Sequence, residues 1–183
     1  IMKKLLLILL CLPMIGFGQF TDSFSDGDFI SNPAWIGDVG IFEIDTNNTL
    51  HLNDSIAGVA SLVTQSQSIS NAIWEFSIRL DFSPSTNNFA KVYIASDMTD
   101  LSGPLNGMYV KVGGQSGNID DISLYTQTGT NHNEIIDGVA GLVSNNPNIS
   151  VKVTRDILGN WELFLDTNGV FFSQGTAFDN SII

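Results

Sequence analysis

The chain has 183 residues, of which 43% are hydrophobic, and its 19 acidic and 7 basic residues give a net charge of −12. This balance argues against nucleic acid or an anionic membrane surface as a partner, because the electrostatic part of binding would be repulsive. Cys11 is the single cysteine. No intrachain disulfide can therefore form, and the hydrophobic core must stabilise the fold by itself.

Residues 1–18 have the pattern of a secretory signal peptide. Met2-Lys3-Lys4 is a short basic region, an apolar run follows from Leu5 to Phe17, and Gly18 is small, as a cleavage site requires. The apolar run is broken by Pro13 and is too short for a membrane span of about 20 residues. We expect cleavage before Gln19, export to the cell surface or the medium, and no membrane insertion afterwards.

The remaining residues, 19–183, are enough for one domain with a substantial hydrophobic core. Short alternating runs recur in them, separated by clusters of Asn, Asp, Gly, Ser and Thr, and no helical period of useful length is present. The clearest run is 74–82, in which five apolar residues alternate with Glu75, Ser77, Arg79 and Asp81. Successive side chains of a strand point to opposite faces, so this run predicts a strand with one apolar face.

The regular spacing of these runs is typical of an all-β protein. We predict a two-sheet antiparallel jelly-roll sandwich. The predicted strands are, in chain order, 42–45 and 49–52 as a hairpin around Asn47-Asn48, then 57–64, 74–82, 89–95, 108–112, 122–126, 133–136, 149–155 and 161–165. The sequence stops at Ile183 as a polar loop leads into what looks like another strand, and we expect closing strands and further domains to follow.

Several motifs of the chain resemble the N-terminal domain of large exported multidomain proteins from Bacteroidetes. The resemblance implies a concanavalin A-like (laminin G-like) fold over nearly the whole mature chain, often followed by lamin-tail or adhesion modules. Those proteins have no agreed activity that could be transferred. The motifs that carry the resemblance are Phe24-Ser25-Asp26-Gly27-Asp28-Phe29, Pro33-Ala34-Trp35, Leu50-His51-Leu52-Asn53, Trp74-Glu75-Phe76, Asn106-Gly107-Met108-Tyr109-Val110-Lys111, Val151-Lys152-Val153-Thr154-Arg155-Asp156 and Gly159-Asn160-Trp161-Glu162-Leu163.

A glycosidase site is the sharpest enzymatic interpretation of the sequence, and it rests on Glu43-Ile44-Asp45-Thr46-Asn47-Asn48. The segment is similar to the Glu-x-Asp-x-x-Glu strand of laminarinase-like enzymes, whose two glutamates act as nucleophile and acid/base. Retaining hydrolysis needs two carboxyl groups about 5–5.5 Å apart. Asn48 stands where the second glutamate would be. We therefore predict that Glu43 and Asp45 lie on the solvated face of a strand and that the protein is not an enzyme.

Exposed aromatic side chains are the candidates for binding a sugar ring. Trp35, Tyr93 and Tyr109 are predicted as ligand-binding residues, with Tyr125 as a further candidate. Tyr93 and Tyr109 fall opposite the apolar positions of their strands, which predicts some exposure. The alternative is that they cover the core or an edge, as most aromatic residues of a sandwich do. Trp74 and Trp161 are predicted core residues.

A structural Ca²⁺ ion is the one cofactor that the sequence suggests. Asp22, Asp26 and Asp28 could supply the oxygen ligands that this ion prefers, although Asp-Gly-Asp is also an ordinary turn. His51 and His132 are the only histidines, and without a cysteine in the mature chain they give little support for a transition-metal site.

The function predicted from the sequence is a non-catalytic recognition or adhesion domain, with a polysaccharide or glycan as the leading partner by analogy of fold. Two alternatives remain open. One is a glycoside-active enzyme of the same fold, which two facing acids in a cleft would favour. The other is a structural spacer, which a polar sheet face without exposed aromatic residues would favour.

Overall fold

Residues 21–182 are described by the structure, a computed structural model, and they form two four-stranded antiparallel sheets packed as a β-sandwich. The predicted all-β, two-sheet class is confirmed. The predicted signal peptide, residues 1–18, lies outside the described residues. No helix between residues 21 and 182 has the length and apolar character needed to span a membrane.

The strands number twelve in the described part of the chain. They are β1 (Ile36–Gly37), β2 (Phe42–Ile44), β3 (Leu50–Leu52), β4 (Leu62–Val63), β5 (Ala72–Arg79), β6 (Ala90–Ser96), β7 (Leu105–Val112), β8 (Ile122–Gly129), β9 (Asn131–Ile136), β10 (Asn148–Arg155), β11 (Asn160–Asp166) and β12 (Phe172–Phe178), with a 3₁₀ turn at Val39–Ile41. One large sheet has the order β12-β11-β10-β5 and the other has the order β6-β7-β8-β9. Two small sheets, β1-β4 and β2-β3, precede them in the chain.

The strand with the clearest alternation, β5, lies at an edge of its sheet. Its side chains alternate between half-buried and exposed along the whole strand, so the predicted periodicity is confirmed. Trp74, Phe76 and Ile78 pack against the core but are only partly buried, since β5 has a neighbour, β10, on one side only. The most buried strands are β7, β8, β10 and β11, each of which lies inside its sheet.

The core lies between the two sheets and is apolar throughout. Trp161 is 1% exposed, and its ring stacks on that of Trp74 at a centroid distance of 5.6 Å. The predicted core role of Trp161 is thereby confirmed. The other fully enclosed core side chains are Met108, Val110, Val112, Ile122, Leu124, Val143, Val151, Val153, Leu163 and Leu165.

Three strands differ from the prediction. β1, a strand of two residues, was not predicted. The predicted strand 57–64 is reduced to β4, and residues 57–59 are exposed. β12 was not predicted, because Phe172 and Phe178 are separated by mostly small or polar residues. Its pairing with β11 is interrupted by a register shift between Leu163 and Phe164, which further weakens any alternation that the sequence could display.

Aspartates cap the hairpin turns, and this use accounts for part of the acidity of the chain. Asp45 Oδ1 accepts hydrogen bonds from the backbone N–H groups two and four residues later, at 2.8 and 2.9 Å. Asp156 Oδ1 makes the same two bonds, also at 2.8 and 2.9 Å. The residue three positions after each aspartate has a left-handed backbone, Asn48 with φ 59° and Gly159 with φ 91°. These are residue types that tolerate this conformation, as turn chemistry requires.

Candidate functional site: a tyrosine row on an outer sheet face

Three tyrosines lie side by side on the outer face of the β6-β7-β8-β9 sheet. Tyr93 on β6 is directly opposite Tyr109 on β7, which is directly opposite Tyr125 on β8. Met108 and Val110 flank Tyr109 along the strand and belong to the core between the sheets. Because strand side chains alternate between faces, Tyr109 and its two partners point away from that core. We call these three side chains the tyrosine row.

The rings of the tyrosine row are in contact with one another. Tyr109 and Tyr125 are stacked nearly parallel, with centroids 5.2 Å apart and an interplanar angle of 4°. Tyr93 is tilted by 37° against Tyr109 at a centroid distance of 4.9 Å. His132 from β9 meets the ring of Tyr109 edge-on at 5.7 Å. Cross-strand aromatic pairs of this kind stabilise a sheet and fix the direction of each ring.

Tyr109 is almost fully buried, although its position on the strand predicted some exposure. Only 2% of its surface is accessible, whereas Tyr93 and Tyr125 are each half-buried. The physical reason is that its neighbours cover it: the two flanking rings contact it, and the ammonium of Lys91 lies 4.8 Å from its centroid. Tyr109 therefore supports the row from within, and the surfaces that remain accessible belong to Tyr93 and Tyr125.

The tyrosine hydroxyl groups are held by polar partners on the next strands. The hydroxyl of Tyr93 reaches across β7 and donates to Gln127 Oε1 at 2.6 Å. The amide nitrogen of Gln127 in turn donates to the backbone carbonyl of Gly129 at 2.9 Å. The hydroxyl of Tyr109 lies 3.1 Å from His132 Nδ1. Burial raises the pKa of Tyr109 and of Tyr125, so both remain neutral at physiological pH.

The face around the tyrosine row has a basic side and an acidic side. Lys91 on β6 is directly opposite Lys111 on β7, and burial together with the charge of Lys111 lowers the pKa of Lys91. On the other side, Asp121 is only 4% exposed, and burial raises the pKa of its carboxyl group. Asp121 accepts a hydrogen bond from the hydroxyl of Ser123 at 2.8 Å. Glu134 on β9 lies opposite Tyr125 and is exposed.

Trp35, the third predicted ligand-binding residue, lies in the N-terminal loops. Its indole N–H donates to Asp22 Oδ2 at 2.8 Å, and its ring meets that of Phe24 at a centroid distance of 6.1 Å. Asp22 also accepts from the backbone N–H of Phe24 at 2.8 Å. A predicted stacking residue and a predicted metal ligand thus share one hydrogen bond, which fixes a loop and leaves both oxygens of Asp22 in use.

The three aspartates predicted to hold Ca²⁺ accept hydrogen bonds within local turns. Asp28 Oδ1 accepts from the backbone N–H groups of Ile30 and Ser31, both at 3.0 Å, and the hydroxyl of Ser31 lowers the pKa of Asp28. Asp26 accepts from the backbone N–H of Asp28 at 3.5 Å. Within the described range 21–182, no group of three or more His, Cys, Asp or Glu side chains is placed to hold a metal ion. A Ca²⁺ site formed by Asp22, Asp26 and Asp28 stays a prediction.

The segment similar to a glycosidase strand is a short hairpin. Glu43 on β2 lies beside His51 on β3, with Oε1 3.3 Å from Nδ1, and both side chains are about half exposed. Asp45 begins the turn, and its hydrogen bonds, chiefly from Thr49, lower its pKa to about 2. A carboxylate so strongly held in its ionised form is a poor proton donor. Glu43 is exposed on β2, as its predicted place on the solvated face of a strand requires.

The sequence pointed to the three tyrosines of the site and missed the groups around them. Lys91 lies two residues before Tyr93, and Lys111 lies two residues after Tyr109, so the period of a strand already placed each lysine on the face of its tyrosine. The pairing of the two lysines and the contact of Gln127 with Tyr93 both depend on the strand register, which no sequence signal supplied. Searches against family models, curated proteins and solved structures find no match to this chain.

Proposed function

We propose that this protein is a non-catalytic recognition domain that binds carbohydrate on the outer face of the β6-β7-β8-β9 sheet. The observation that carries the proposal is the tyrosine row, in which Tyr93 and Tyr125 present partly accessible rings on either side of a buried Tyr109. Binding sites commonly combine aromatic surface with a few oriented polar groups. This face has both, since exposed Glu134 and His132 border the row.

A sugar ring has apolar C–H surfaces and a rim of hydroxyl groups, and the face offers a partner for each. The rings of Tyr93 and Tyr125 supply flat apolar surface. His132 and Glu134 supply a ring nitrogen and a carboxylate that can exchange hydrogen bonds with sugar hydroxyls. The hydrogen bond from Tyr93 to Gln127 and the stacking of Tyr125 on Tyr109 fix both rings before any ligand arrives. Groups that are ordered in advance lose less entropy when they bind.

The direct test is a glycan-array screen of the protein, followed by titration calorimetry with the strongest ligand found. Tyr125→Ala should weaken that ligand about tenfold, which corresponds to about 1.4 kcal/mol. The matched control is Phe178→Ala, which removes a 64% exposed ring from β12 in the opposite sheet and should leave binding unchanged. Circular dichroism would verify that both variants keep the sheet content of the parent.

A screen in which no glycan binds to the folded protein would contradict the proposal and favour the structural spacer. Binding that is equally sensitive to Phe178→Ala would place the ligand elsewhere on the molecule. Repeating the titration with EDTA tests the remaining calcium prediction. Affinity and thermal stability that are both unchanged by the chelator would show that no Ca²⁺ ion takes part.

The glycoside-active alternative has one observation in its favour, which is the raised pKa of the buried carboxyl group of Asp121 on the same face. Perturbed carboxyl groups cluster at catalytic sites, although structural networks perturb them too. An assay for new reducing ends, run on each glycan that binds, distinguishes the two functions. If product forms and its formation is lost in Asp121→Asn, the protein is an enzyme and the proposed recognition function is wrong. A stable, uncleaved complex would support the recognition function.

A further inference from the structure

We propose that the ligand of this face is an anionic saccharide, whose carboxylate or sulfate group binds at Lys91 and Lys111 while its ring packs on Tyr93. The inference rests on the proposed function and adds to it the chemical class of the ligand. It comes from the two lysines beside the tyrosine row. The fold does not require two positive charges at these neighbouring positions.

The two lysines are directly opposite each other on neighbouring strands, β6 and β7. Like charges in this position destabilise a sheet, since their side chains leave the backbone only about 5 Å apart. The described chain contains 19 acidic residues and only five basic ones, so an acidic partner would be easy to supply. Neither Lys91 nor Lys111 forms an ion pair with any carboxylate of residues 21–182, where the two ion pairs found involve His51 and Arg79.

Both ammonium groups rest on uncharged surfaces. Lys91 Nζ lies 4.8 Å from the ring centroid of Tyr109, and Lys111 Nζ lies 4.8 Å from that of Phe89. Lys111 Nζ also donates to the backbone carbonyl of Gly114 at 3.3 Å. Gly114 has a φ of 95°, a backbone conformation that favours glycine, and the absent side chain leaves Lys111 its present position. The structure thus holds both cations in position without neutralising either of them.

The other basic residues of the described chain have partners of a different kind. Lys152 on β10 is directly opposite Glu75 on β5 and also lies over the rings of Phe164 and Phe171. Arg79 forms an ion pair with Asp81 at 2.7 Å. Arg155 is buried and donates to two backbone carbonyl groups. A repulsive pair of cations beside aromatic rings occurs on the proposed binding face alone among residues 21–182.

His132, the third basic side chain of the face, favours its neutral form at physiological pH. His132 is exposed and contacts Tyr109, and its pKa is lowered by burial and by the charge of Lys91. Glu134 on β9 lies at the far end of the tyrosine row, directly opposite Tyr125 and two strands away from Lys111 on β7. An anionic substituent placed over the lysines would therefore meet cations, while uncharged parts of the ligand would extend toward Glu134. Exposed acidic residues elsewhere act weakly there, because exposed charges are screened beyond about 8 Å at physiological ionic strength. Asp121 is buried and is not screened in this way, but burial raises its pKa and so disfavours its charged form.

The experiment compares each acidic probe with its neutral counterpart by titration calorimetry. The probes are an oligogalacturonate and its methyl ester, which differ in the carboxylate, and a sulfated galactan oligosaccharide and its desulfated form. We expect at least one acidic probe to bind about tenfold tighter than its neutral counterpart. The pair that shows this preference identifies whether a carboxylate or a sulfate is recognised.

Three variants assign the preference to the lysines. The double variant Lys91→Gln with Lys111→Gln should bind the acidic and the neutral probe equally. Lys91→Arg keeps the charge and should retain most of the preference. Lys152→Gln is the matched control, because this lysine also lies on aromatic rings, at 4.5 and 4.4 Å, but on the opposite sheet. It should bind like the parent protein.

The failure of this inference can be distinguished from failure of the proposed function. If acidic and neutral probes bind equally and Tyr125→Ala still weakens both, the sugar site stands and the anionic ligand is ruled out. If the double lysine variant keeps the preference, the anion binds elsewhere and the inference is overturned. If none of the four probes and no glycan on the array binds to the folded protein, both proposals fall.

Discussion

The two large sheets have the same number of strands and the same antiparallel pairing, yet their outer faces differ. On the β6-β7-β8-β9 sheet, the outward side chains of the central strands are enclosed: Tyr109 is 2% exposed, Ser123 is 0% and Gln127 is 4%. On the β12-β11-β10-β5 sheet, the corresponding outward residues, such as Lys152 and Phe164, are only half-buried. The first face therefore has a packed layer of its own above the sheet, and the second is an ordinary solvated face.

The difference arises from side-chain chemistry rather than from strand geometry. On the first face, three contacting rings and the hydrogen bonds of Tyr93 and Tyr109 link all four strands. On the second face, the contacts are short and local, such as the bond between the hydroxyl groups of Ser77 and Ser150 at 2.8 Å. A connected polar and aromatic network outside the core is a costly arrangement unless each member finds its partners. Its presence on one face alone distinguishes that face as the candidate for binding.

Removing the central ring of the tyrosine row should produce the largest difference in stability between matched variants of the two faces. Tyr109→Ala takes away a ring that contacts Tyr93, Tyr125 and His132, and we expect the free energy of unfolding to fall by about 3–5 kcal/mol. Phe164→Ala on the opposite face should cost about 1 kcal/mol, since that ring is half exposed. Urea denaturation measures both values. Equal losses for the two variants would show that the tyrosine row adds no packing beyond that of an ordinary sheet face.

Removing one hydroxyl group should have an intermediate effect. Tyr93→Phe leaves Oε1 of the buried Gln127 without its 2.6 Å donor, and an unsatisfied buried acceptor costs about 1–3 kcal/mol. Ser77→Ala removes an exposed hydroxyl pair on the other face and should change stability by less than about 0.5 kcal/mol. Thermal unfolding of the two variants beside the parent protein provides the measurement. A Tyr93→Phe variant as stable as Ser77→Ala would mean that water replaces the lost donor at no cost.

The smallest effects concern the pH dependence of stability. It should have opposite signs for the buried carboxyl group on the face of the tyrosine row and for a carboxyl group that caps a turn. The side chain and backbone of Asn160 lower the pKa of Asp156, so its contribution to stability is complete above its unfolded value of 3.8 and is lost as the pH falls through the folded value. Burial raises the pKa of Asp121, so stability falls as the pH rises from 3.8 through its folded value.

Substitution of each aspartate by asparagine should reveal the opposite pH dependence of the two contributions to stability. Asp156→Asn should lower the free energy of unfolding at pH 7 and have much less effect at pH 2. Asp121→Asn should raise the free energy of unfolding at pH 7 and leave it nearly unchanged at pH 3. Both expectations follow from the direction of each pKa shift. Denaturant unfolding over this pH range checks both. If the effect of both substitutions on stability changed with pH in the same direction, the predicted difference between the turn carboxyl group and the buried carboxyl group would be wrong.

The sequence by itself determined the fold class and most of the strands, because the period of two and the turn residues are local properties. Strand β5 followed from strict alternation, and the β2-β3 hairpin followed from Asn47-Asn48. The core roles of Trp161 and of the alternating valines of β10 followed in the same way. Strand β12 escaped prediction, since it is held by pairing with β11 rather than by a pattern of its own.

Only the tertiary structure decided what the candidate site contains. Tyr93, Tyr109 and Tyr125 come from three strands, and they form a row because the registers of β6 with β7 and of β7 with β8 align them. The same registers place Lys91 opposite Lys111 and enclose Tyr109, which the alternation of β7 alone predicted to be exposed. Alternation fixes the face on which a side chain lies. Its neighbours on that face, and hence its burial and charge environment, depend on pairing between distant parts of the chain.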